Sequence, residues 1–422
     1  MIFLNFSYKY LHFFTAVSLV LTAILLCGVL CSCSNIFGSS NNSSSNLSQT
    51  EQPTTSTPLK DAISTTYGYD NISNDVSKKL YEQIGSAVQN IQNGKLVYFG
   101  SASEKQIFEA LSAYKNDHPE DFWINNSYEY YNDGSTTNIE IKYNCYNEEL
   151  EQKKQTFNTT VDNIIAQAPK STGEYELELF ANNYISDNCV YNKSATQTNE
   201  IIGNENDAYG ALVDGKAVCE GYSRAFQLLC NKLNVECVSV VGKSDANHQW
   251  NCVKLGDDWY QVDVTWNDPD SDDQWAKNDY LNLTDEQMYK THTTYPLFAD
   301  TTDEYYSENS DTSYNLFVPK CTSNKYNYYR MTGVVLTDIE SSDEVVNALA
   351  KAASNNESCI NIVIDDSLDF STTTNSIIND GYFGEWIYSA NEINGYSPQL
   401  SSTCKVSLKD NISVLTAVLE YE

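Results

Sequence analysis

The sequence predicts an α+β protein whose central body is a cysteine-bearing helix packed on an antiparallel sheet, with a small α+β domain on either side. Apolar residues recur at helical spacing from Tyr222 to Leu233, directly after Cys219. Two alternating apolar segments flank Gly256-Asp257-Asp258, as in a β-hairpin. A second hairpin signal, Asn132-Asp133-Gly134, lies between Tyr-rich segments nearer the N-terminus.

Changes in composition divide the chain into five parts. They are a signal segment (1–32), a flexible Ser-, Thr- and Asn-rich tether (33–67), an N-terminal α+β domain (68–146), a central domain (147–305) and a C-terminal α+β domain (314–422). Apolar spacing predicts helices that begin near Val76, Ser103 and Asn147, and Ser103 opens a capping-box pattern with Gln106. The last domain is predicted to contain a strand near 326–338, a helix around 345–349, a strand at 359–364 and a hairpin around 409–411.

The chain of 422 residues is strongly acidic, with 57 Asp and Glu against 25 Lys and Arg. Such a balance repels the phosphates of nucleic acids and anionic lipid head groups. We therefore expect no nucleic-acid partner. The acidic residues are spread along the chain, which is typical of a solvated surface and not of a binding tail.

The N-terminal segment has the features of an export signal. Lys9 precedes an uncharged run from Leu11 to Cys31 that is also long enough to span a membrane. The end of that run, Leu30-Cys31-Ser32-Cys33, resembles the lipobox of bacterial lipoproteins. This resemblance implies that Cys33 is lipidated and that the protein is anchored at the cell surface, outside the cytoplasm. An uncleaved membrane anchor and simple secretion are the alternatives.

The cysteine pattern argues against a structural metal site. Nine of the 12 cysteines follow the tether, and none of them forms a CxxC pair. The number is odd, so at least one thiol stays free unless it pairs with another molecule, and the pairing of any disulfides stays open. The acidic stretch 268–273 departs from a calcium loop because Pro269 is its second residue and no glycine is its sixth. We expect no metal and no cofactor.

The stretch around Cys219 has the features of a nucleophile site. A turn signal at Asp214-Gly215 precedes the cysteine, which therefore occupies the first turn of the predicted helix. At that end the helix dipole and the free backbone N–H groups favour a thiolate and are able to bind a developing oxyanion. A cysteine at a helix start is more often structural, so a nucleophile also requires a base.

Three histidines follow the signal segment. His118 lies in a turn and His292 in a polar Thr-rich loop, whereas His248 opens a predicted strand. The returning strand of the hairpin runs from Trp259 to Val264 and contains Asp263, so His248 and Asp263 are expected side by side near one end of the hairpin. A carboxylate fixes the tautomer of an imidazole and stabilises the imidazolium. A buried Asp263 also needs a partner, because burying an unpaired polar group is costly.

Four segments together resemble the transglutaminase-like superfamily in order and spacing. They are Asp207-Ala208-Tyr209-Gly210-Ala211-Leu212, Cys219-Glu220-Gly221-Tyr222, His248-x-Trp250-Asn251 and Trp259-Tyr260-x-Val262-Asp263-x-Thr265-Trp266-Asn267-Asp268-Pro269. The resemblance implies a papain-like fold in the central domain with a catalytic triad of Cys219, His248 and Asp263. Tyr209 is a candidate oxyanion donor and otherwise a core residue.

The expected function is that of a surface-anchored cysteine acyl-transfer enzyme acting on protein or peptide amides, with a cell-wall peptide as one candidate substrate. Hydrolysis is favoured over transamidation because water outnumbers amine acceptors outside the cell. The alternative is a binding module with a vestigial triad that holds a protein or glycan partner. The 31 tyrosines fit that alternative, whereas the complete set of three triad residues argues against it.

Overall fold

The computed structural model describes residues 63–90, 94–198, 203–268, 277–309, 313–402 and 404–422. The signal segment, Cys33, nearly all of the tether and the acidic stretch beyond Asp268 lie outside the described residues. No described helix combines the length with the apolar character that a membrane crossing requires.

The N-terminal part is a three-stranded antiparallel sheet with helices. Its elements are α1 (Tyr67–Asp70), α2 (Asp75–Gln89), β1 (Lys95–Tyr98), α3 (Glu104–Asp117), β2 (Ile124–Asn132) and β3 (Thr137–Tyr143), with the strand order β1-β3-β2. The predicted hairpin is confirmed: the Asp133 carboxylate accepts from the backbone N–H of Ser135 at 2.8 Å, and Gly134 has a φ of +88°. The predicted capping box at Ser103 is also confirmed, since Ser103 and Gln106 bond to each other's backbone.

The central part contains a five-stranded antiparallel sheet in the order β10-β6-β7-β8-β9. Its helices are α4 (Asn147–Gln167), α5 (Glu174–Asn188), α6 (Lys193–Thr198), α7 (Cys219–Lys232), α8 (Asp285–Met288) and α9 (Asp303–Glu308). Its strands are β4 (Val190–Tyr191), β5 (Lys216–Ala217), β6 (Glu236–Lys243), β7 (Asn247–Leu255), β8 (Asp258–Val262), β9 (Leu281–Leu283) and β10 (Thr293–Thr294). Helix α7 lies on β6 and β7, so the predicted cysteine-bearing helix on a sheet is confirmed.

The C-terminal part contains a four-stranded sheet in the order β11-β12-β14-β13. Its elements are α10 (Tyr328–Thr332), β11 (Val334–Leu336), α11 (Asp343–Ser354), β12 (Cys359–Ile364), α12 (Phe370–Asn379), α13 (Tyr382–Ile393), β13 (Lys405–Lys409) and β14 (Val414–Val418). The predicted strand near 326–338 is wrong over 328–332, because the Asn327 side chain accepts from the backbone N–H groups of Tyr329 and Arg330 and starts a helix there.

One hydrophobic core joins the N-terminal part to the central part. Leu111 and Tyr114 of α3 belong to the same buried cluster as Phe226 and Leu229 of α7. The side-chain amide of Gln227 also donates to the carbonyl oxygen of Asn116 at 2.7 Å. Helix α7 therefore packs on its own sheet and on α5, and its side chains also bond to the C-terminal end of α3. The predicted domain boundaries stay predictions.

Candidate active site

Cys219 is the first residue of α7 and is partly exposed. The preceding residue, Val218, is extended, and its backbone N–H donates to the carbonyl oxygen of Glu205 at 3.0 Å. Gly221 makes this approach possible, since a Cβ at that position would lie 2.5 Å from the same carbonyl oxygen. The loop thereby fixes the first turn of α7, whose leading N–H groups have no acceptor within the helix.

The second predicted residue, His248, lies on β7 and points to Asp263, which directly follows β8. The distance between His248 Nε2 and Asp263 Oδ2 is 2.7 Å, and both side chains are buried. The pairing of β7 with β8 extends to Asn251 opposite Val262, and His248 and Asp263 both lie just beyond this last pair, at the same end of the hairpin. The expected neighbourhood of His248 and Asp263 is therefore present.

Cys219 also interacts with the imidazole of His248. Burial by itself lowers the pKa of His248, but the charge of Asp263 and the hydrogen bonds to Asp263 and Cys219 outweigh it and raise the pKa to about 10. Since Nε2 faces Asp263, Nδ1 is the ring nitrogen left for the thiol. The site thus favours an imidazolium next to Cys219 at neutral pH.

Asp263 is held by four N–H donors. Its Oδ1 accepts from the backbone N–H groups of Thr265 at 2.9 Å and Trp266 at 3.2 Å, while Oδ2 accepts from His248 and from His292 Nε2 at 3.1 Å. Burial acts to raise the pKa of Asp263, but the two imidazoles outweigh it and hold the pKa well below its usual range. This arrangement explains why a charged group is tolerated in the core.

His292 lies in a loop before β10, as expected, but within it the residue is 2 % exposed and bonded to Asp263. Sequence reasoning missed it for a physical reason. His292 reaches the site because β10, which follows it, pairs with the far end of β6. Such long-range pairing leaves little local signal, although the capping box of Thr284 and Gln287 marks the short helix that precedes the turn.

A tyrosine that sequence reasoning also missed lies against the cysteine. Strand β4 pairs in parallel with β5, which sets Tyr191 opposite Ala217. The hydroxyl of Tyr191 lies close enough to Cys219 to interact with its backbone N–H and with its sulfur. Burial, followed by the charges of Cys219 and Asp263, raises the pKa of Tyr191. The hydroxyl therefore keeps its proton and acts as a donor.

Tyr209, the tyrosine suggested by the sequence as oxyanion donor, does not lie beside Cys219 in the structure. Its ring packs between Phe122 and Phe157, with centroid distances of 4.9 and 5.9 Å, and the Lys153 ammonium lies 5.7 Å away. This packing matches the alternative interpretation of Tyr209 as a core residue. The remaining histidine, His118, ends α3 and bonds to the Tyr81 hydroxyl at 3.1 Å.

The other thiols differ from Cys219 in their surroundings. All nine cysteines of the described residues are free, and Cys219, Cys359 and Cys404 are the partly exposed ones among them. Burial raises the pKa of Cys404 to about 11 and also raises that of Cys359. Cys252 and Cys321 lie in the core with their sulfur atoms 3.8 Å apart. An imidazolium partner thus distinguishes Cys219 from the other two accessible thiols.

The two histidines and Asp263 are also the group that could hold a metal ion within the described ranges, since their ligand atoms lie within 4.8 Å of one another. The distances of 2.7 and 3.1 Å from the two Nε2 atoms to Oδ2 are those of direct N–H···O hydrogen bonds. Oδ2 thus already accepts hydrogen bonds from both imidazoles, in the place where a metal ion would have to bind. We therefore interpret the cluster as a hydrogen-bonded one.

A polar cavity of about 490 Å³ lies on another face of α7 and is lined by Glu220, Arg224, Lys115 and Asp207, among others. Cys219 and His248 do not line it. Several of its charged groups already have polar partners: Arg224 bonds to Glu220 at 3.1 Å, Lys153 to Glu149 at 3.2 Å, and the Lys115 ammonium to the side chain of Asn126. The chemistry of the Cys219–His248 pair therefore lies apart from this cavity.

Comparison with known proteins points to the same part of the chain. Residues 159–264 match the family model of the transglutaminase-like superfamily. The mouse (Mus musculus) kyphoscoliosis peptidase is 34% identical over 64 residues, which cover 12% of this chain and 10% of that protein. The chain thus spans about a tenth of the length of this curated relative.

Two solved structures have low similarity. A crystal structure of a TGase has 16% identity and a TM-score of 0.24, and covers 48% of this chain and 60% of that one. A proposed cysteine protease from Cytophaga hutchinsonii has 11% identity and a TM-score of 0.21, with coverages of 33% and 61%. The family match confirms the resemblance found in the sequence motifs. Residues 159–264 of this chain are a transglutaminase-like superfamily domain.

Proposed function

We propose that this chain is a cysteine acyl-transfer enzyme that acts on protein or peptide amides. The observation that carries the proposal is the buried 2.7 Å contact between His248 Nε2 and Asp263, which leaves the other ring nitrogen to Cys219. In this arrangement Cys219 is the nucleophile, His248 is the base and acid, and Asp263 orients the imidazole.

The first half of the reaction forms a thioester. The thiolate of Cys219 attacks the amide carbon, and the electrons of the carbonyl bond move to the oxygen. When the tetrahedral intermediate collapses, the C–N bond breaks and the His248 imidazolium gives its proton to the leaving amine. The products of this half are the free amine and an acyl group on the sulfur.

The oxyanion of the intermediate needs donors beside Cys219. Tyr191 has its hydroxyl against both the sulfur and the backbone N–H of that residue. The free N–H groups in the first turn of α7 supply further donors. We therefore propose Tyr191, in place of Tyr209, as the side-chain oxyanion donor.

In the second half, His248 removes a proton from water or from an amine, and the new nucleophile displaces Cys219 from the acyl group. Water gives a peptidase or amidase, and a lysine amine gives a cross-link. We favour hydrolysis, because water is in large excess outside the cell unless the site excludes it. We also propose that Cys33 carries a lipid that anchors the enzyme outside the cytoplasm, where cell-wall peptides are candidate substrates.

The experiment that tests the proposal measures the alkylation rate of each thiol with iodoacetamide between pH 5 and 9, by peptide mass spectrometry. We expect Cys219 to react fast below neutral pH and Cys404 slowly, since burial keeps the Cys404 thiol protonated. His248→Ala should reduce the Cys219 rate at pH 6 about a hundredfold, to that of an ordinary thiol. His118→Ala is the matched control and should leave it unchanged.

A slow Cys219 rate that His248→Ala does not change would contradict the enzyme proposal and favour the binding module. If the rate is fast, a glutamine-containing peptide and a fluorescent primary amine separate the two reactions. Ammonia release without incorporation of the amine supports hydrolysis. Incorporation of the amine in preference to water supports transamidation.

A further inference from the structure

The carboxylate of Asp263 is shared by two imidazoles. His248 Nε2 and His292 Nε2 lie 2.7 and 3.1 Å from the same oxygen, Oδ2. His292 is 2 % exposed and is not used in the proposed reaction. His292 is a buried polar side chain that bonds to Asp263 of the triad. A buried polar group in such a position needs a structural or functional explanation.

The protons of this cluster follow from its acceptors. A carboxylate offers lone pairs and no hydrogen, so each Nε2 must carry a proton and donate it to Oδ2. At the other side of the His292 ring, Nδ1 lies 2.8 Å from the Thr291 hydroxyl, whose single hydrogen has a second acceptor in the Met288 carbonyl oxygen at 3.3 Å. The shorter contact favours donation to Nδ1, and with it a neutral His292 in the Nε2–H tautomer.

Aromatic rings hold His292 in place. The ring centroids of Trp266, Trp250 and Tyr280 lie 4.8, 5.1 and 5.7 Å from that of His292. Two of these rings also pack near His248, at 6.1 Å for Trp250 and 6.2 Å for Trp266. This enclosure keeps the His292 ring from turning away from Oδ2.

The titratable groups that face this cluster come from several elements. They are His248 from β7, Cys219 from α7, Tyr191 from β4 and Tyr280 from the segment before β9. Burial and neighbouring acids keep both tyrosine hydroxyls neutral, since their pKa values are raised. The charges that act on Asp263 are therefore those of the cysteine and of the His248 imidazolium, while His292 acts through its N–H dipole.

We propose that His292 is a positioning residue of this site: its Nε2–H holds Oδ2 of Asp263 beside His248 and takes up part of the carboxylate's hydrogen-bonding capacity. The inference rests on the proposed acyl-transfer function and adds a fourth residue to it. Without this donor Oδ2 interacts with His248 alone, and the carboxylate holds the imidazolium proton more tightly. His248 then becomes a weaker acid toward the leaving amine.

The test uses the full chain and compares iodoacetate with iodoacetamide as alkylating reagents of Cys219. The anionic reagent gains from a neighbouring imidazolium and the neutral one does not, so the ratio of their rates falls where His248 loses its proton. We expect His292→Phe, which keeps an aromatic ring but no donor, to raise the midpoint of this fall by roughly half to one pH unit. His292→Gln, whose amide N–H is able to replace Nε2–H, should restore the wild-type midpoint.

Val240→Ala is the matched control for a loss of packing, since Val240 is fully buried in the same cluster as Trp250. It should lower the melting temperature without moving the midpoint. If His292→Phe leaves the midpoint unchanged, or if His292→Gln and His292→Phe move it equally, the inference is overturned. Absence of fast Cys219 labelling in the wild-type chain would instead overturn the proposed function, so the two failures are distinguishable.

A measurement on the unaltered protein keeps the inference testable if the variants do not fold. The chain has four histidines, so the imidazole ¹⁵N resonances of a histidine-labelled sample are few and can be assigned. A neutral His292 with its proton on Nε2, in a slowly exchanging hydrogen bond, agrees with the inference. A proton on Nδ1 with Nε2 bare would refute it.

Discussion

Asp263→Asn tests the electrostatics of the site most directly, because it removes the charge and keeps the shape. In the wild-type protein His248 has its pKa raised from 6.5 to about 10. At about 1.4 kcal/mol per pH unit, this shift corresponds to roughly 5 kcal/mol of stabilisation of the imidazolium. Loss of a buried charge partner commonly costs about 3–5 kcal/mol. In the variant burial is left as the main influence, and it lowers the pKa of His248.

The sign of the pH dependence follows from the two shifts. Because the pKa of His248 is raised on folding, its contribution to stability is complete below pH 6.5 and is lost as the pH rises through about 10. Because the pKa of Asp263 is lowered on folding, its contribution is present above the ordinary range of an aspartate and is lost in strong acid. The difference in free energy of unfolding between wild type and variant should therefore be largest near pH 6 and smaller at pH 10.5.

Two assays measure this prediction. Urea unfolding at pH 6 should show a loss of about 3–5 kcal/mol in the variant, and iodoacetamide labelling of Cys219 at pH 6 should slow about a hundredfold, as for an ordinary thiol. Asp258→Asn, an exposed aspartate at the start of the same strand, is the control and should change neither. If Asp263→Asn labels as fast as wild type and its unfolding difference is the same at both pH values, the reasoning is refuted.

Three further predictions concern single residues. Tyr191→Phe removes the proposed oxyanion donor, so acyl transfer from p-nitrophenyl acetate should fall about a hundredfold; alkylation by iodoacetamide forms no oxyanion and should change less than about threefold, and an equal loss in both assays would contradict the role. Gly221→Ala brings a Cβ within 2.5 Å of the Glu205 carbonyl oxygen. Urea unfolding should therefore show a loss of about 1–3 kcal/mol in the free energy of unfolding, and Cys219 labelling should slow. An unchanged labelling rate would mean that the loop at Glu205 moves to accommodate the methyl group. Ser103→Ala removes a helix cap far from the site and should cost about 1 kcal/mol in urea unfolding without altering Cys219 labelling.

The sequence predicted those parts of the site that depend on local pattern. The apolar stripe after Cys219 indicated a helix, and the alternation on either side of Gly256 indicated a hairpin that sets His248 beside Asp263. Both are present, because a helix stripe and a two-strand register are decided within a few residues of the chain. The distance and the burial of the pair were not predictable from the pattern alone.

The sequence did not reveal the residues that arrive by long-range pairing. Tyr191 reaches Cys219 through the parallel pairing of β4 with β5, and His292 reaches Asp263 through β10. The strand expected near 326–338 failed for the opposite reason, since one cap, Asn327, decides in favour of a helix over the apolar and aromatic residues that follow. Helices α12 and α13 were not expected, because their apolar positions are interrupted by Ser, Thr and Gly.

The shared core of the N-terminal and central parts means that the segment matching the superfamily is shorter than the part of the chain that folds together around the site. The superfamily match stops at residue 264, before β9, β10 and His292, and it starts after the helix whose last turn accepts hydrogen bonds from Arg224 and Gln227. A fragment trimmed to that match would leave both outer edges of the sheet unpaired and would remove the carbonyl acceptors of Arg224 and Gln227. For expression of this protein, the ends of the matched segment are therefore a poor guide to where the chain can be truncated.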